Sequence, residues 1–396
     1  MARVLCVWEF GGDLGHVRRL VPIARELRAM GHEITLAFRD SAFVENARAE
    51  GFETFIAPLL NAKREVNPSP LNFCDVLLNL GFQEPRGVAG ALRAWESMIE
   101  MLRPDVIVAD YAPTALIAAS FAKIPSVTVG TGFSVPAFGD PIPDLRPWSP
   151  TDPNILRALD DRLVRTVRRA AGNNAARVPE KARDLLSARL HLLCTFREID
   201  PFGPRDGVEY VGPQGDATSG VEVEWSGDSR PRVFGYLKPR NARFDATLKG
   251  LASLDAEVIV AAPGLSAKRA QAASTPSMRV VPSAVNLDLL LPHASMCVSH
   301  AGPGVAARAM AAGVPMALLP LQLEQFLVAK RVEKTEAAIV SNPEEPPPDY
   351  PKWFASLLER DAARSAAQRL RERYHGHDFG DATRRAAQRI SDVANR

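Results

Sequence analysis

Two histidines, one aspartate and a Glu-Gln pair carry most of the chemistry this chain could do. His16 closes the turn Gly11-Gly12-Asp13-Leu14-Gly15 at the start of a helical pattern. An unperturbed imidazole titrates near pH 6.5, which suits a general base at neutral pH. Asp110 follows the apolar run Asp105–Ala109. Bonded to the far ring nitrogen, its carboxylate would fix the tautomer and stabilise the imidazolium, as in a His-Asp dyad. Plainer readings stand beside these: His16 as an incidental helix cap, and Asp110 as the N-cap of a helix over Thr114–Lys123. The glycines could also form a dinucleotide loop, with Asp40 as the ribose acid. Their spacing, however, is G-G-x-x-G rather than G-x-G-x-x-G.

The second half offers Cys297-Val298-Ser299-His300-Ala301-Gly302-Pro303-Gly304, an apolar run emptying into small residues that open a helix, which ends before Gly313-Val314-Pro315. A helix N-terminus presents free N–H groups and positive dipole, a ready phosphate site. Gly302 and Gly304 permit close backbone approach, and His300 could add a hydrogen bond. A plain strand–turn–helix needs the same small residues. Glu324-Gln325, shortly after Leu319-Pro320, offers acceptors and donors suited to sugar hydroxyls, or caps a surface helix. No His, Cys, Asp or Glu cluster has metal-ligand spacing. The expectation is a metal-free protein without a cofactor, in which a helix terminus replaces Mg²⁺ beside a diphosphate.

These residues need strand ends to present them. Val4–Trp8, Glu33–Phe38, Phe52–Ala57, Asp105–Ala109, Ser126–Val129 and His191–Thr195 read as strands, apolar throughout as in buried parallel sheets. Helical spacing at Leu20, Ile23, Ala24 and Leu27 separates the first two, and Gly31 stops that helix. From Gly203 to Pro231 the composition is that of a linker. The pattern then restarts at Val233–Leu237, Glu257–Ala261, Arg279–Val281, Met296–Ser299, Met316–Leu319 and Ala338–Val340. A proline-rich break at Pro343–Pro351 precedes a helical, Arg/Ala-rich end. The expected fold is α/β: two doubly wound Rossmann-like domains, with a ligand at the carboxyl ends of the strands in the cleft between them. The expected division is 1–215, 216–375 and a C-terminal helix over 376–396 that packs back on the first domain.

Composition bounds the rest. The 396 residues carry 48 Lys+Arg against 46 Asp+Glu, a net charge of +2 that gives no electrostatic case for nucleic acid or an anionic membrane. No stretch approaches the ~20 apolar residues of a spanning helix. The four cysteines are far apart, and the N-terminus lacks the pattern of a secretory signal. The chain thus reads as cytoplasmic and free of disulfides. Its oligomeric state is not legible.

Together the motifs resemble the UDP-glycosyltransferase superfamily, inverting enzymes of GT-B fold. Val298-Ser299-His300-Ala301-Gly302-Pro303-Gly304, Gly313-Val314-Pro315, Pro320 and Glu324-Gln325 match its C-terminal donor signature, and Leu289–Ala294 resembles the segment before it. Gly15-His16 and Gly31-His32-Glu33-Ile34-Thr35 resemble its N-terminal G-H-x-x-P and R-G-H-x-V-T. The resemblance implies that His16 deprotonates an acceptor hydroxyl while Asp110 orients it. It implies that His300, Gly302, Pro303 and Gly304 hold the donor diphosphate, that Glu324 and Gln325 hold the sugar, and that Val281, Pro282 and Ser283 hold the nucleobase. Acceptors would meet the loops Asn61–Glu100 and Gly130–Pro153, where Phe73, Phe82, Trp95, Phe133, Phe138 and Trp148 could line an apolar pocket or simply form core.

Three positions depart from the pattern. Arg308 replaces the ribose-binding glutamate and cannot accept hydrogen bonds. A dTDP-sugar would miss one contact fewer there than a UDP-sugar, which makes Arg308 a candidate for nucleotide specificity. Val305 replaces a phosphate-contacting Ser/Thr, and Arg19 replaces the proline of G-H-x-x-P. The expected activity is metal-independent transfer of a sugar from a nucleotide-diphosphate donor to a small, apolar molecule. Alternatives are a nucleotide-sugar 2-epimerase of the same fold and a catalytically silent nucleotide-sugar-binding accessory protein.

Overall fold

The computed structural model describes residues 1–12, 15–60, 67–215, 220–227 and 229–395, residue 46 by its backbone alone. Asp13 and Leu14 of the glycine turn, residues 61–66 of the first acceptor loop, and 216–219 and 228 of the linker stretch lie outside the described residues. The chain divides into two compact units. One comprises Met1–Cys194, Arg205–Val211 and Asp381–Arg396; the other comprises Thr195–Pro204 and Gly212–Gly380.

In the first unit the described strands are β1 (Arg3–Trp8), β2 (Glu33–Phe38), β3 (Glu53–Ile56), β4 (Val106–Asp110), β5 (Ser126–Gly130), β6 (Leu190–Leu193) and β7 (Glu209–Tyr210). They form one parallel sheet in the order β3-β2-β1-β4-β5-β6-β7. All five residues of β4 and of β5 are buried, which is why these strands are apolar without alternation. Chain order reverses between β1 and β4, the position where doubly wound sheets open a crevice for ligands. Trp8 pairs with Asp110 across that switch point, so the ends of the two strands lie side by side.

The helix Val17–Ala29 buries Leu20, Ile23, Ala24 and Leu27 against this sheet, the stripe that its helical spacing predicts. The C-terminal helix Phe379–Ala394 adds Ala386, Ala387 and Ile390 to the same core. His32 meets Ser391 at 2.8 Å, and Arg389 donates to both carboxylate oxygens of Glu209 at 2.9 Å. Strand β7 lies inside the stretch that reads as linker.

The second unit repeats the plan with β8 (Arg232–Tyr236), β9 (Glu257–Ala261), β10 (Met278–Val281), β11 (Met296–Ser299), β12 (Met316–Leu318) and β13 (Ala338–Val340). Their parallel order is β10-β9-β8-β11-β12-β13, with the switch point between β8 and β11, where Tyr236 pairs with Ser299. Both units are doubly wound, Rossmann-like α/β layers. The four cysteines are free and buried, and burial pushes the Cys6 and Cys297 thiols up to about 12. Among the described residues no helix is long and apolar enough to cross a membrane, and no group of His, Cys, Asp and Glu could hold a metal ion.

Candidate active site

At the switch point of the first unit, His16 and Asp110 come together. His16 Nδ1 lies 2.9 Å from Asp110 Oδ1, although the ring N–H is not well aligned on that oxygen. His16 occupies the N-cap position of the helix Val17–Ala29 but makes no side-chain capping bond. Its ring instead stacks on Trp8, with centroids 5.0 Å apart and planes 17° off parallel. Trp8 is anchored in turn by an indole N–H bond to the Phe10 carbonyl at 2.6 Å.

Gly11 borders the other ring nitrogen. A Cβ there would stand 2.5 Å from His16 Nε2, and the φ of +84° already favours glycine. Asp110 thus stands at Nδ1, while the missing Cβ of Gly11 makes the room that Nε2 occupies. Arg39 donates to the Gly11 carbonyl at 2.7 Å, fixing the turn.

Asp110 is fully buried and has a second partner, Arg19, whose Nη1 donates to Oδ2 at 2.5 Å. Burial alone would raise the Asp110 carboxyl. The Arg19 guanidinium and His16 overcome that and hold it below the usual carboxylate range.

Asp110 does not cap the following helix, Pro113–Ala122, whose cap position is Ala112. The cap is Glu9, the residue after β1. Its carboxylate accepts from the Thr114 N–H at 3.0 Å and the Ala115 N–H at 2.7 Å. Burial pushes the Glu9 carboxyl up to about 7 even against those bonds. The Phe10 N–H donates to the Tyr111 carbonyl at 3.1 Å, and Tyr111 sits at φ +49°, a left-handed conformation that is costly for a bulky residue. The turn carrying Asp110 is thus clamped from β1.

Around Tyr111 runs a chain of aromatic contacts. Phe73 lies 6.0 Å from it, Phe133 6.3 Å, Phe10 5.8 Å and the His16 ring 6.4 Å, while Phe82 meets Phe10 at 6.4 Å. Of the six aromatics considered for an acceptor pocket, Phe73, Phe82 and Phe133 belong to this cluster. Trp95 does not: it is fully buried and donates to Thr114 Oγ1 at 3.1 Å, so it is core behind the helix Pro113–Ala122. Phe138 packs 4.4 Å from His191 in a separate surface groove with Arg183, Arg189 and Glu209. Trp148 is exposed. Asp40, the candidate ribose acid, caps its own short turn by accepting from the Ala42 N–H at 2.9 Å.

In the second unit, His300 directly follows β11. Its Nδ1–H donates to the Leu319 carbonyl at 2.7 Å, and Nε2 accepts from the Lys238 N–H at 3.0 Å, a tautomer assigned from these partners. Burial lowers its pKa, the bond to Leu319 opposes this, and Lys238 lowers it further. His300 thus ties together the loops that follow β8, β11 and β12. A phosphate reaching Nε2 would have to displace the Lys238 N–H.

The turn beyond His300 is open. Nothing lies within 4 Å of where a Cβ would stand on Gly302 or Gly304. The helix Pro303–Ala312 starts with no side-chain cap, and the Ala306 N–H bonds to the Gly302 carbonyl at 3.0 Å. That leaves the N–H groups of Gly304 and Val305 without a protein partner among the described residues. Ala301, at φ +56°, holds the turn in a strained conformation. Farther along, Gln325 is buried with Oε1 accepting from the Leu321 N–H at 2.9 Å, and Glu324 is half-buried. Val281 ends β10; Val281 and Pro282 are half-buried and Ser283 is exposed.

Arg308 is held within its own unit. Nη1 donates to both Asp288 oxygens, at 2.6 and 2.9 Å, and the guanidinium lies 4.1 Å over the Phe379 ring. Only 11% of its side chain is exposed.

Sequence reasoning missed Trp8, Tyr111 and Glu9 as parts of the first site, had Gly11 only within a glycine turn, and had Arg19 only as a missing proline. Arg19 was findable, because it stands three residues from His16 on one helix face. Glu9 gave no local signal, since the N–H groups it caps lie 105 and 106 residues away.

Comparison with known proteins adds to this geometry. The family described as "Erythromycin biosynthesis protein CIII-like, C-terminal domain" matches residues 245–377. No curated protein matches by sequence. Among solved structures, the calicheamicin glycosyltransferase CalG4 superposes with a TM-score of 0.73 at 20% identity, covering 100% of this chain and 98% of its own. The glycosyltransferase VinC, solved with dTDP, gives 0.69 at 18% identity over 99% of both chains. A glycosyltransferase of kitacinnamycin gives 0.69 at 21% over 99% of both. With two doubly wound units and these full-length likenesses the chain has the GT-B fold, and its stretch 245–377 is similar to that C-terminal domain family.

Proposed function

We propose that the chain is an inverting, metal-independent glycosyltransferase that moves a sugar from a nucleotide-diphosphate donor to a hydroxyl of a small, apolar acceptor. The observation that carries this reading is His16, with Nδ1 against Asp110 at 2.9 Å and Nε2 set against Gly11, which has no side chain to crowd it. His16 Nε2 takes the acceptor's hydroxyl proton. The oxygen's electron pair forms the new bond to the anomeric carbon as the bond to the diphosphate oxygen breaks, and that pair leaves with the diphosphate. Attack from the opposite face inverts the carbon. Asp110 stabilises the imidazolium that forms.

The donor belongs to the second unit. The Gly304 and Val305 N–H groups and the helix dipole would take the diphosphate charge in place of a metal. The Gln325 amide and Glu324 would meet the sugar, and Val281–Ser283 the nucleobase. His300 would shape the turn and contact phosphate only by yielding its bond to Lys238. The dTDP bound by VinC supports a nucleotide-diphosphate donor. Phe73, Phe82 and Phe133, with Tyr111 and Phe10, would border the acceptor. The names of CalG4 and of the kitacinnamycin enzyme point to natural products as the acceptor class. The four buried, free thiols fit a reducing, cytoplasmic setting.

The test is incubation with UDP- and dTDP-sugars and a panel of acceptors, read by mass spectrometry. His16→Ala should lower transfer by about 10²–10⁴-fold. Transfer undiminished in that variant would remove His16 as the base. Turnover of the donor without any acceptor would favour the epimerase.

A further inference from the structure

Arg19 divides the Asp110 carboxylate with His16, and that division bears on which pH the site can work at. Arg19 and His16 share one helix face, with the Arg19 N–H bonded to the His16 carbonyl at 3.1 Å. Both side chains reach the same fully buried carboxylate, His16 at Oδ1 and Arg19 at Oδ2, and Arg19 is itself only 10% exposed. A proline at position 19 could make no such bond.

Charge bookkeeping decides the consequence. A guanidinium stays protonated at any working pH. With Arg19 present, the buried group of Asp110, Arg19 and neutral His16 sums to zero. Without Arg19, the buried carboxylate would face a neutral imidazole alone, and taking a proton onto that imidazole would be the cheapest way to balance it. The base would then be occupied at neutral pH.

Among the described residues, Arg19 and His16 are the groups whose charge acts on the Asp110 carboxylate. Cys194, after β6, is a thiol that burial pushes up to about 11, so it stays neutral. Arg39 is committed to the Gly11 carbonyl and Glu9 to the helix Pro113–Ala122. Trp8 stacks on His16, and the Tyr111 ring lies 6.4 Å away.

We propose that Arg19 is a positioning residue that matches the charge of Asp110 and so keeps His16 unprotonated, extending sugar transfer to lower pH. This rests on the reading of His16 as the base.

The experiment is the pH dependence of kcat/KM for the full chain with a working donor and acceptor, in wild type, Arg19→Met, Arg19→Gln, Arg19→Lys and His16→Ala. The rate of Arg19→Gln relative to wild type should fall at least about tenfold between about pH 9 and about pH 6, a shift of about one unit or more in the acidic limb. Arg19→Met should do the same, and Arg19→Lys, which keeps the charge, should stay near the wild-type profile. Arg19→Gln keeps a polar side chain and serves if Arg19→Met does not fold. A constant rate deficit at every pH, with an unmoved limb, would make Arg19 merely structural and overturn the proposal. Loss of transfer in His16→Ala together with an unmoved limb defeats this proposal alone, whereas full transfer in His16→Ala defeats the reading beneath it.

Discussion

Gly11 and His16 compete for one volume: a Cβ on residue 11 would lie 2.5 Å from Nε2 of the imidazole. Any side chain there must push the ring off Trp8 or cover the nitrogen that takes the proton. Gly11→Ala should therefore lower kcat/KM by about 10²-fold, the penalty of misplacing a reacting group by an ångström. The φ of +84° adds about 1–2 kcal/mol of backbone cost, measurable by denaturant unfolding. A variant with the stability loss but full activity would show that Nε2 is not the working atom.

Glu9 should make stability fall as pH rises. Its carboxyl is raised from 4.5 to about 7 in the fold, so the folded state holds the proton more tightly than the unfolded chain does. The resulting stabilisation is complete below about pH 4.5 and lost as pH passes through about 7, to an extent of about 2–3 kcal/mol. Glu9→Gln carries no such proton. The difference in unfolding free energy between the two proteins should shift in favour of the glutamine variant between about pH 5 and about pH 8. A difference that stays flat across that range would contradict the account.

Arg308→Glu separates specificity from structure. The substitution would set a second carboxylate beside Asp288 and strip the cation from the Phe379 face. A loss of about 2 kcal/mol or more is expected, without better use of a UDP-sugar. Improved UDP-sugar turnover in a fully stable variant would instead make Arg308 a determinant of the nucleotide.

Chelation tests the donor turn. If the N–H groups of Gly304 and Val305 carry the diphosphate charge, transfer measured in excess EDTA should stay within about twofold of the untreated rate. Abolition by EDTA with recovery on adding Mg²⁺ would assign that charge to a metal.

The strands were legible because a buried parallel strand is a short apolar run, and Glu33–Phe38, Glu257–Ala261 and Met296–Ser299 read with the bounds they have in the structure. The places of His16 and Asp110 were legible for a related reason: Asp110 ends such a run, and His16 opens the helix that follows another. What the sequence hides is pairing across distance. Nothing near Glu9 announces the N–H groups of Thr114 and Ala115, and nothing near His300 announces the Lys238 N–H, 62 residues back. The two-residue strand β7 escaped because Gly and Pro around it outweigh a pair of extended residues. Trp95 was misleading for the opposite reason: a large aromatic on an amphipathic helix reads alike whether it lines a pocket or fills a core.

The first unit is knitted from segments that precede and follow the second in sequence. Its core includes Val4, Leu20 and Leu36 from the beginning, Val211 from the middle, and Ala386, Ala387 and Ile390 from the last helix. On a ribosome, the N-terminal sheet would emerge early and wait, one apolar face uncovered, while the whole second unit is made. The unit that carries His16 is thus begun before the second unit and completed after it, so a chain without Phe379–Ala394 would lack part of that core.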